Sequence, residues 1–259
     1  MAFDIETYKR IVRPVDLEGI DFAAFETQPL DPAVLRCLRY MHDVEQHTVC
    51  YLRDLLVTRA HLDPEITTFL TLWNFEELWH GEAIARVLEA HGEPGGAARL
   101  GPLRRGLGWK NVFAPLVSMA VSALSRNLSA VHMTWGAVNE WTTQAGYARL
   151  AARADHPVLS ELLRRIMRQE GRHIDFYVAQ ARQRLSSSRA ARIATRLALT
   201  RFWRPVGSGV MPRREVDFLI GYLFAGDEGA AMAERIDRRV SALPGLGGLE
   251  LISSARQAA

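Results

Sequence analysis

The chain has 259 residues, of which 48% are hydrophobic and 24% charged, a balance typical of a globular protein long enough to bury a core. Its 32 basic residues nearly match its 29 acidic residues, which argues against a nucleic-acid-binding protein. The longest apolar run, 112–124, is shorter than the roughly 20 residues of a membrane span, so we expect none.

The N-terminus and the cysteines predict a cytoplasmic protein. The first six residues, Met-Ala-Phe-Asp-Ile-Glu, include two acids and lack the apolar segment of a secretory signal. We predict Cys37 and Cys50 on one helix, 13 residues apart in the sequence and therefore roughly 20 Å apart. That separation excludes a disulfide between them, and free thiols are typical of a reducing compartment.

Helix-start and helix-stop residues divide most of the chain into helices. Asp31-Pro32 and Asp63-Pro64 each place an N-cap residue before a proline at the first helical position, and Gly92 is a typical stop. The predicted helices cover approximately 31 to beyond 56, 63–91, 111–154, 155–185, 189–204 and 213–243. We predict an irregular N-terminal lead-in, and loops over 92–108 and 205–212.

Since no segment shows sustained strand alternation, we predict an all-α fold. Long antiparallel helices joined by short turns favour a bundle with a site built into its core. We predict a single domain over 1–259, with four core helices within 31–185 and additional helices within 189–243.

Two of the core helices contain Glu-x-x-His, as Glu77-x-x-His80 and Glu170-x-x-His173. Side chains three residues apart lie on the same face of a helix, so each pair can bind one ion. The remaining core helices each place a glutamate among apolar residues, Glu45 and Glu140.

A pair of metal ions in a four-helix bundle is bound by such a set, one Glu from each of two helices and one Glu-x-x-His from each of the others. Four carboxylates neutralise two divalent ions, and oxygen ligands with one imidazole per ion suit iron or manganese. We therefore predict two iron ions, with manganese as the alternative metal. The predicted ligands are Glu45, Glu77, His80, Glu140, Glu170 and His173.

Each of these residues alone has an ordinary structural interpretation, such as a glutamate on a solvated helix face. Glu76 competes with Glu77 for the role of metal ligand, because it lies four residues before His80. If Glu76 is not a ligand, it either contacts a ligand from outside or is exposed. His42 lies three residues before Glu45 and is a candidate for contacting a ligand from outside. Gly136 and Ala137 lie on the face of Glu140 one turn before it, where they favour either room for a slim substrate or close helix packing.

At these residues the chain resembles the soluble acyl-carrier-protein desaturases, a ferritin-like di-iron family. Three stretches carry the resemblance: Glu-Glu-Leu-Trp-His-Gly at 76–81 is similar to Glu-Glu-Asn-Arg-His-Gly, Gln-Glu-Gly-Arg-His at 169–173 to Asp-Glu-Lys-Arg-His, and Glu-Trp-Thr-Thr at 140–143 to Glu-x-x-Thr. The resemblance implies a ferritin-like four-helix bundle with the six ligands above. It also implies that Thr143 acts beside the oxygen-binding position.

The family resemblance further implies a dioxygen-dependent oxidoreductase that oxidises unactivated C–H bonds of an acyl or similar substrate. Its partners would be a ferredoxin-like electron donor and an acyl carrier protein, and the chain would form a homodimer. Gln169 departs from the family's acidic residue; if this position accepts a hydrogen bond from a ligand histidine, an amide does so less strongly than a carboxylate.

A di-iron hydroxylase or N-oxygenase of a biosynthetic pathway is the main alternative, because the ligand set cannot separate hydroxylation from desaturation. A ribonucleotide reductase small subunit would carry a radical tyrosine where this chain has Ile84, and an iron-storage ferritin would be shorter.

Seven arginines between 182 and 204 form either a solvated helix face or a patch for an acidic protein or lipid-linked group.

Overall fold

The computed structural model describes residues 3–259, with Lys110 described by its backbone alone. Within this part of the chain, 78% of the residues are helical and no strand occurs, which confirms the all-α prediction. The helices are α1 Ile5–Ile11, α2 Ala24–Thr27, α3 Pro32–Glu45, α4 Thr48–Leu56, a 3₁₀ turn Arg59–Leu62, α5 Pro64–Ala90, α6 Gly96–Gly106, α7 Gly108–Leu124, α8 Leu128–Ala154, α9 Pro157–Ser187, α10 Arg189–Phe202, α11 Arg213–Leu223, α12 Gly226–Ser241 and α13 Leu251–Ala258.

The chain divides into two compact units, and the division falls inside α8 and α9. One unit comprises Asp4–Leu124 and Leu150–Gln169; in it α3 packs along α5, and α4 contacts both α5 and α7. The other comprises Ser125–Arg149 and Glu170–Ala259 together with Phe3, and there α13 packs against α11 and α12. The single domain over 1–259 stays a prediction.

The predicted helix starts at Asp31 and Asp63 are confirmed. The Asp31 carboxylate accepts a hydrogen bond from the backbone N–H of Ala33 at 2.7 Å. One oxygen of Asp63 accepts from the N–H groups of Glu65 and Ile66 at 3.1 and 3.2 Å. These caps satisfy N–H groups that have no partner inside the helix.

The first predicted long helix is wrong in one respect, because it breaks after Glu45 into α3 and α4. At this break the backbone carbonyls accept hydrogen bonds from side chains. Thr48 Oγ1 donates to the carbonyl of Glu45 at 2.7 Å, and Arg104 donates to that of Gln46 at 2.9 Å. Cys37 and Cys50 therefore lie on different helices. Both are free thiols, and burial raises the pKa of Cys37 to about 12.

Other predicted boundaries are also corrected. The predicted loop 92–108 contains α6, the predicted helix 111–154 is interrupted between α7 and α8, and the predicted helix 213–243 is α11 followed by α12. The lead-in carries α1 and α2, and the tail ends in α13. The start of α13 depends on a distant residue, since the Asp237 carboxylate accepts from the N–H groups of Ile252 and Ser253 at 2.9 Å each.

A buried polar cluster attaches α6 to α3. Arg99 of α6 donates two hydrogen bonds to the Asp43 carboxylate at 2.7 and 2.8 Å. His42 Nδ1 lies 2.9 Å from the same carboxylate, and its Nε2 accepts from the backbone N–H of Gly96 at 3.0 Å. Burial alone would raise the pKa of Asp43, but the hydrogen bonds from Arg99 and His42 hold it below its ordinary value.

We expect Arg99→Met to lower the free energy of unfolding by about 2–4 kcal/mol, because it leaves the buried Asp43 carboxylate without its cationic partner. Arg105→Met on the same helix is the control, since that side chain is exposed and its replacement should change stability little. Chemical denaturation followed by circular dichroism measures both. Equal stability of the two variants would contradict this role for Arg99.

In the described part of the chain, no single helix has the length and hydropathy of a membrane span. One bent pair, Gly96–Gly106 followed by Asn111–Leu124 at an angle of 69°, meets both criteria when the two helices are taken together.

Candidate metal centre

The six predicted ligands are all buried. Glu45 is the last residue of α3, Glu77 and His80 lie in α5, Glu140 lies in α8, and Glu170 and His173 lie in α9. None of the six is more than 6% exposed. A carboxylate in this setting carries a large desolvation cost unless a cation or hydrogen-bond donors compensate its charge.

The side chains form two groups that can hold a metal ion. Within each group the potential ligand atoms all lie within 4.8 Å of one another. The groups are Glu45, Glu77, His80 and Glu170, and Glu77, Glu140, Glu170 and His173. Together they comprise the six residues predicted from the sequence, and their role as ligands stays a prediction.

The composition of each group fits a first-row divalent metal. Each contains three carboxylates and one imidazole, and Glu77 and Glu170 belong to both. Carboxylate oxygens combined with a single nitrogen ligand suit iron or manganese better than softer metals, which favour thiolates. Because the set holds four carboxylates in all, its full ionisation matches the charge of two divalent ions.

The two Glu-x-x-His pairs present their imidazoles in the same way. Nδ1 of His80 lies 3.8 Å from an oxygen of Glu77, and Nδ1 of His173 lies 3.0 Å from an oxygen of Glu170. In both helices a spacing of three residues thus directs Nδ1 toward the glutamate one turn earlier. A carboxylate oxygen and an imidazole nitrogen so placed can bind a common ion.

Gln169 fixes the orientation of His80. Its side-chain oxygen lies 2.9 Å from Nε2 of His80, and its side-chain nitrogen donates to the backbone carbonyl of Arg13 at 3.0 Å. The second bond determines which end of the amide faces His80, so Nε2 carries the proton and Nδ1 presents its lone pair. A ligand histidine is commonly held by such an outer hydrogen bond, here to an amide.

We expect Gln169→Leu to weaken divalent-metal binding about 10- to 100-fold, because the outer hydrogen bond of His80 is lost. Gln169→Glu should retain more affinity than Gln169→Leu, since a carboxylate accepts the bond from His80 although it cannot donate to the Arg13 carbonyl. Gln180→Leu, at an equally buried glutamine of α9 outside both groups, is the matched control. Titration with Co²⁺, followed by its visible absorption, measures the affinities; unchanged binding by Gln169→Leu would contradict the assignment.

Glu76 and His42 belong to neither group. Glu76 is fully buried, and the hydroxyl of Tyr8 donates to one of its oxygens at 2.8 Å. Both ring nitrogens of His42 contact the α6 attachment described above. Tyr8 is a residue that sequence reasoning missed, because it lies in the lead-in predicted to be irregular.

Two small residues permit close packing near the predicted ligands. A Cβ added to Gly81, next to His80, would lie 2.6 Å from Cγ of Gln46, so the glycine lets the end of α3 approach α5. A Cβ added to Gly136 would lie 2.3–2.8 Å from ring atoms of Tyr177. Tyr177 therefore occupies the space beside Gly136, which favours close helix packing over the interpretation of free room for a substrate.

We expect Gly136→Ala to lower the free energy of unfolding by about 1–2 kcal/mol, since overpacking against the Tyr177 ring outweighs the gain in helix propensity. Gly171→Ala is the control, because its added Cβ would have its nearest neighbour at 4.0 Å. In a Tyr177→Leu background the same glycine substitution should cost much less, because the ring atoms that it meets are gone. Urea denaturation measures the series, and an unaltered stability of Gly136→Ala would show that the ring moves freely.

Thr143 lies in α8 one turn after Glu140 and is partly exposed. Its role beside an oxygen-binding position stays a prediction.

Comparisons of this chain with family models, with curated proteins and with solved structures gave no match. The resemblance to acyl-carrier-protein desaturases therefore depends on the motifs and on the six buried residues alone.

Proposed function

We propose that this protein is a di-iron, dioxygen-dependent oxidoreductase that oxidises unactivated C–H bonds of an acyl or similar substrate. One observation carries the proposal: two buried groups of three glutamates and one histidine share Glu77 and Glu170. Glu45 and His80 would hold one iron, Glu140 and His173 the other, and the shared glutamates would serve both. Bound iron would supply the activation of dioxygen with two electrons from an external donor.

The stoichiometry follows from the chemistry of a desaturation. The substrate gives up two hydrogen atoms as a carbon–carbon double bond forms, and a ferredoxin-like donor supplies two electrons. Dioxygen is reduced to two water molecules, which takes up the two hydrogens and two further protons. In a hydroxylation one oxygen atom enters the substrate and the other becomes water.

The chain's own residues would prepare the site for this chemistry. The four carboxylates neutralise the metal charge, and Gln169 keeps the Nδ1 lone pair of His80 available. Fully buried apolar residues on the same helices, including Ile84 and Ile166, exclude water from the surroundings. A dry environment protects a strong oxidant from side reactions.

The proposal also covers the arrangement of the helices, the oligomeric state and the protein partners. A ferritin-like arrangement of the core helices and a homodimer follow from the family resemblance. The exposed arginines of α10, Arg189, Arg196 and Arg201, provide positive charge for an acidic electron donor or acyl carrier protein. The alternative is a di-iron hydroxylase or N-oxygenase, which would use the same metal centre.

We expect the purified protein to bind about two divalent ions per chain, as the two residue groups imply, and Glu77→Gln to abolish most of this binding. Glu76→Gln is the matched control, because Glu76 is an adjacent buried glutamate outside both groups and a glutamine can still accept from Tyr8. Elemental analysis after reconstitution with Fe²⁺, with a chelator-treated sample as the blank, measures the stoichiometry. Retention of both ions by Glu77→Gln would refute the centre.

A reconstituted reaction separates the two enzyme classes. With dioxygen, a ferredoxin system and acyl-carrier-protein thioesters, we expect the iron-loaded protein to form a product lighter by two hydrogen atoms. A product heavier by one oxygen atom would favour the hydroxylase. Mass spectrometry of the intact carrier reads both outcomes, and Glu77→Gln should form neither product. Iron binding without turnover of these thioesters would redirect the search to other substrates.

A further inference from the structure

Helix α7 has its polar and apolar faces reversed relative to an ordinary surface helix. Its large apolar side chains are exposed, whereas the side chains that it turns inward are small or polar. The exposed side chains are Trp109, Val112, Phe113, Leu116, Val117, Met119, Val121 and Leu124. A contiguous apolar surface of this kind marks an interaction site.

The inward face is held by polar contacts. Arg53 of α4 donates to the backbone carbonyl and to the side-chain oxygen of Asn111 at 3.0 and 3.1 Å. The hydroxyl of Ser122, which is 3% exposed, accepts from the backbone N–H of Arg59 at 2.9 Å. These contacts fix the rotation of the helix about its axis, so the apolar side chains face outward.

The segment of the chain that contains α7 carries a positive net charge. Between 94 and 124 the chain has four basic residues and no acidic residue. Arg99 is paired with Asp43, whereas Arg105 is exposed and Lys110 follows Trp109 directly in the sequence. Trp109 stacks on Phe113 with ring centroids 5.6 Å apart. Aromatic and aliphatic residues beside basic ones are typical of helices that lie in a membrane interface.

The length of α7 argues for contact with one leaflet. Its 17 residues extend roughly 25 Å, which is shorter than the roughly 30 Å of the hydrocarbon core that a span must cross. The preceding α6 cannot extend a span, because Arg99 ties it to α3. We propose that the exposed face of α7 binds the surface of an anionic lipid membrane, and this inference does not depend on the metal centre.

Vesicle flotation of the full-length protein tests the proposal. We expect the protein to float with phosphatidylcholine vesicles that contain about a third phosphatidylglycerol, and less with phosphatidylcholine alone, because anionic lipid attracts the basic residues. Added salt should weaken the binding through screening. Absence of binding to both kinds of vesicle would overturn the proposal.

A pair of matched double variants locates the contact. Leu116→Glu with Val117→Glu should reduce binding about tenfold or more, since acidic side chains replace apolar contacts on the proposed face. The control is Ile193→Glu with Leu197→Glu on α10, which should leave binding unchanged. Its two side chains are matched in exposure, at 60% and 56%, to Leu116 and Val117 at 56% and 61%. An equal loss in both variants would overturn the assignment to α7.

Two further measurements separate lipid from a second copy of the chain. Vesicles with brominated acyl chains should quench tryptophan fluorescence, and Trp109→Phe should remove most of that quenching; unchanged quenching in this variant would contradict the proposal. Light scattering after size exclusion reports the oligomeric state. A dimer that becomes monomeric with Leu116→Glu and Val117→Glu, and that binds no vesicles, would assign this face to self-association and overturn the lipid proposal.

Discussion

Four carboxylates in an apolar interior require compensating positive charge, and this requirement governs how the candidate centre is built. Glu45, Glu77, Glu140 and Glu170 are each at most 6% exposed, where an isolated ionised carboxylate would be very costly. Hydrogen bonds to two imidazoles cannot balance four negative charges. The proposed pair of divalent cations would balance them, and this balance is the physical basis of the proposed function.

Hydrogen bonds around the candidate centre restrict the orientations of its side chains and of their neighbours. The Arg13 carbonyl orients the Gln169 amide, the amide orients His80, and the Tyr8 hydroxyl engages the adjacent Glu76. Each contact removes an alternative orientation before any ion arrives. Such preorganisation lowers the reorganisation that ion binding would otherwise require.

The candidate centre and α7 depart in opposite ways from the usual distribution of polar and apolar side chains. At the candidate centre, acidic side chains lie in the apolar interior. On α7, large apolar side chains lie on the outer face beside basic residues, and polar side chains point inward. Both arrangements depart from the usual polar-out pattern, and for each we propose a partner that the chain itself does not supply.

The sequence alone determined the local features, because their causes lie within a few residues. The helix starts at Asp31 and Asp63 follow from capping, and the two Glu-x-x-His pairs follow from helical periodicity. What only the tertiary structure decided depends on residues far apart in the chain. Arg104 helps to end α3, Arg99 holds α6 in a segment rich in glycine, and Tyr177 fills the space at Gly136. Local propensity does not contain these contacts, since each forms only after distant segments have packed together.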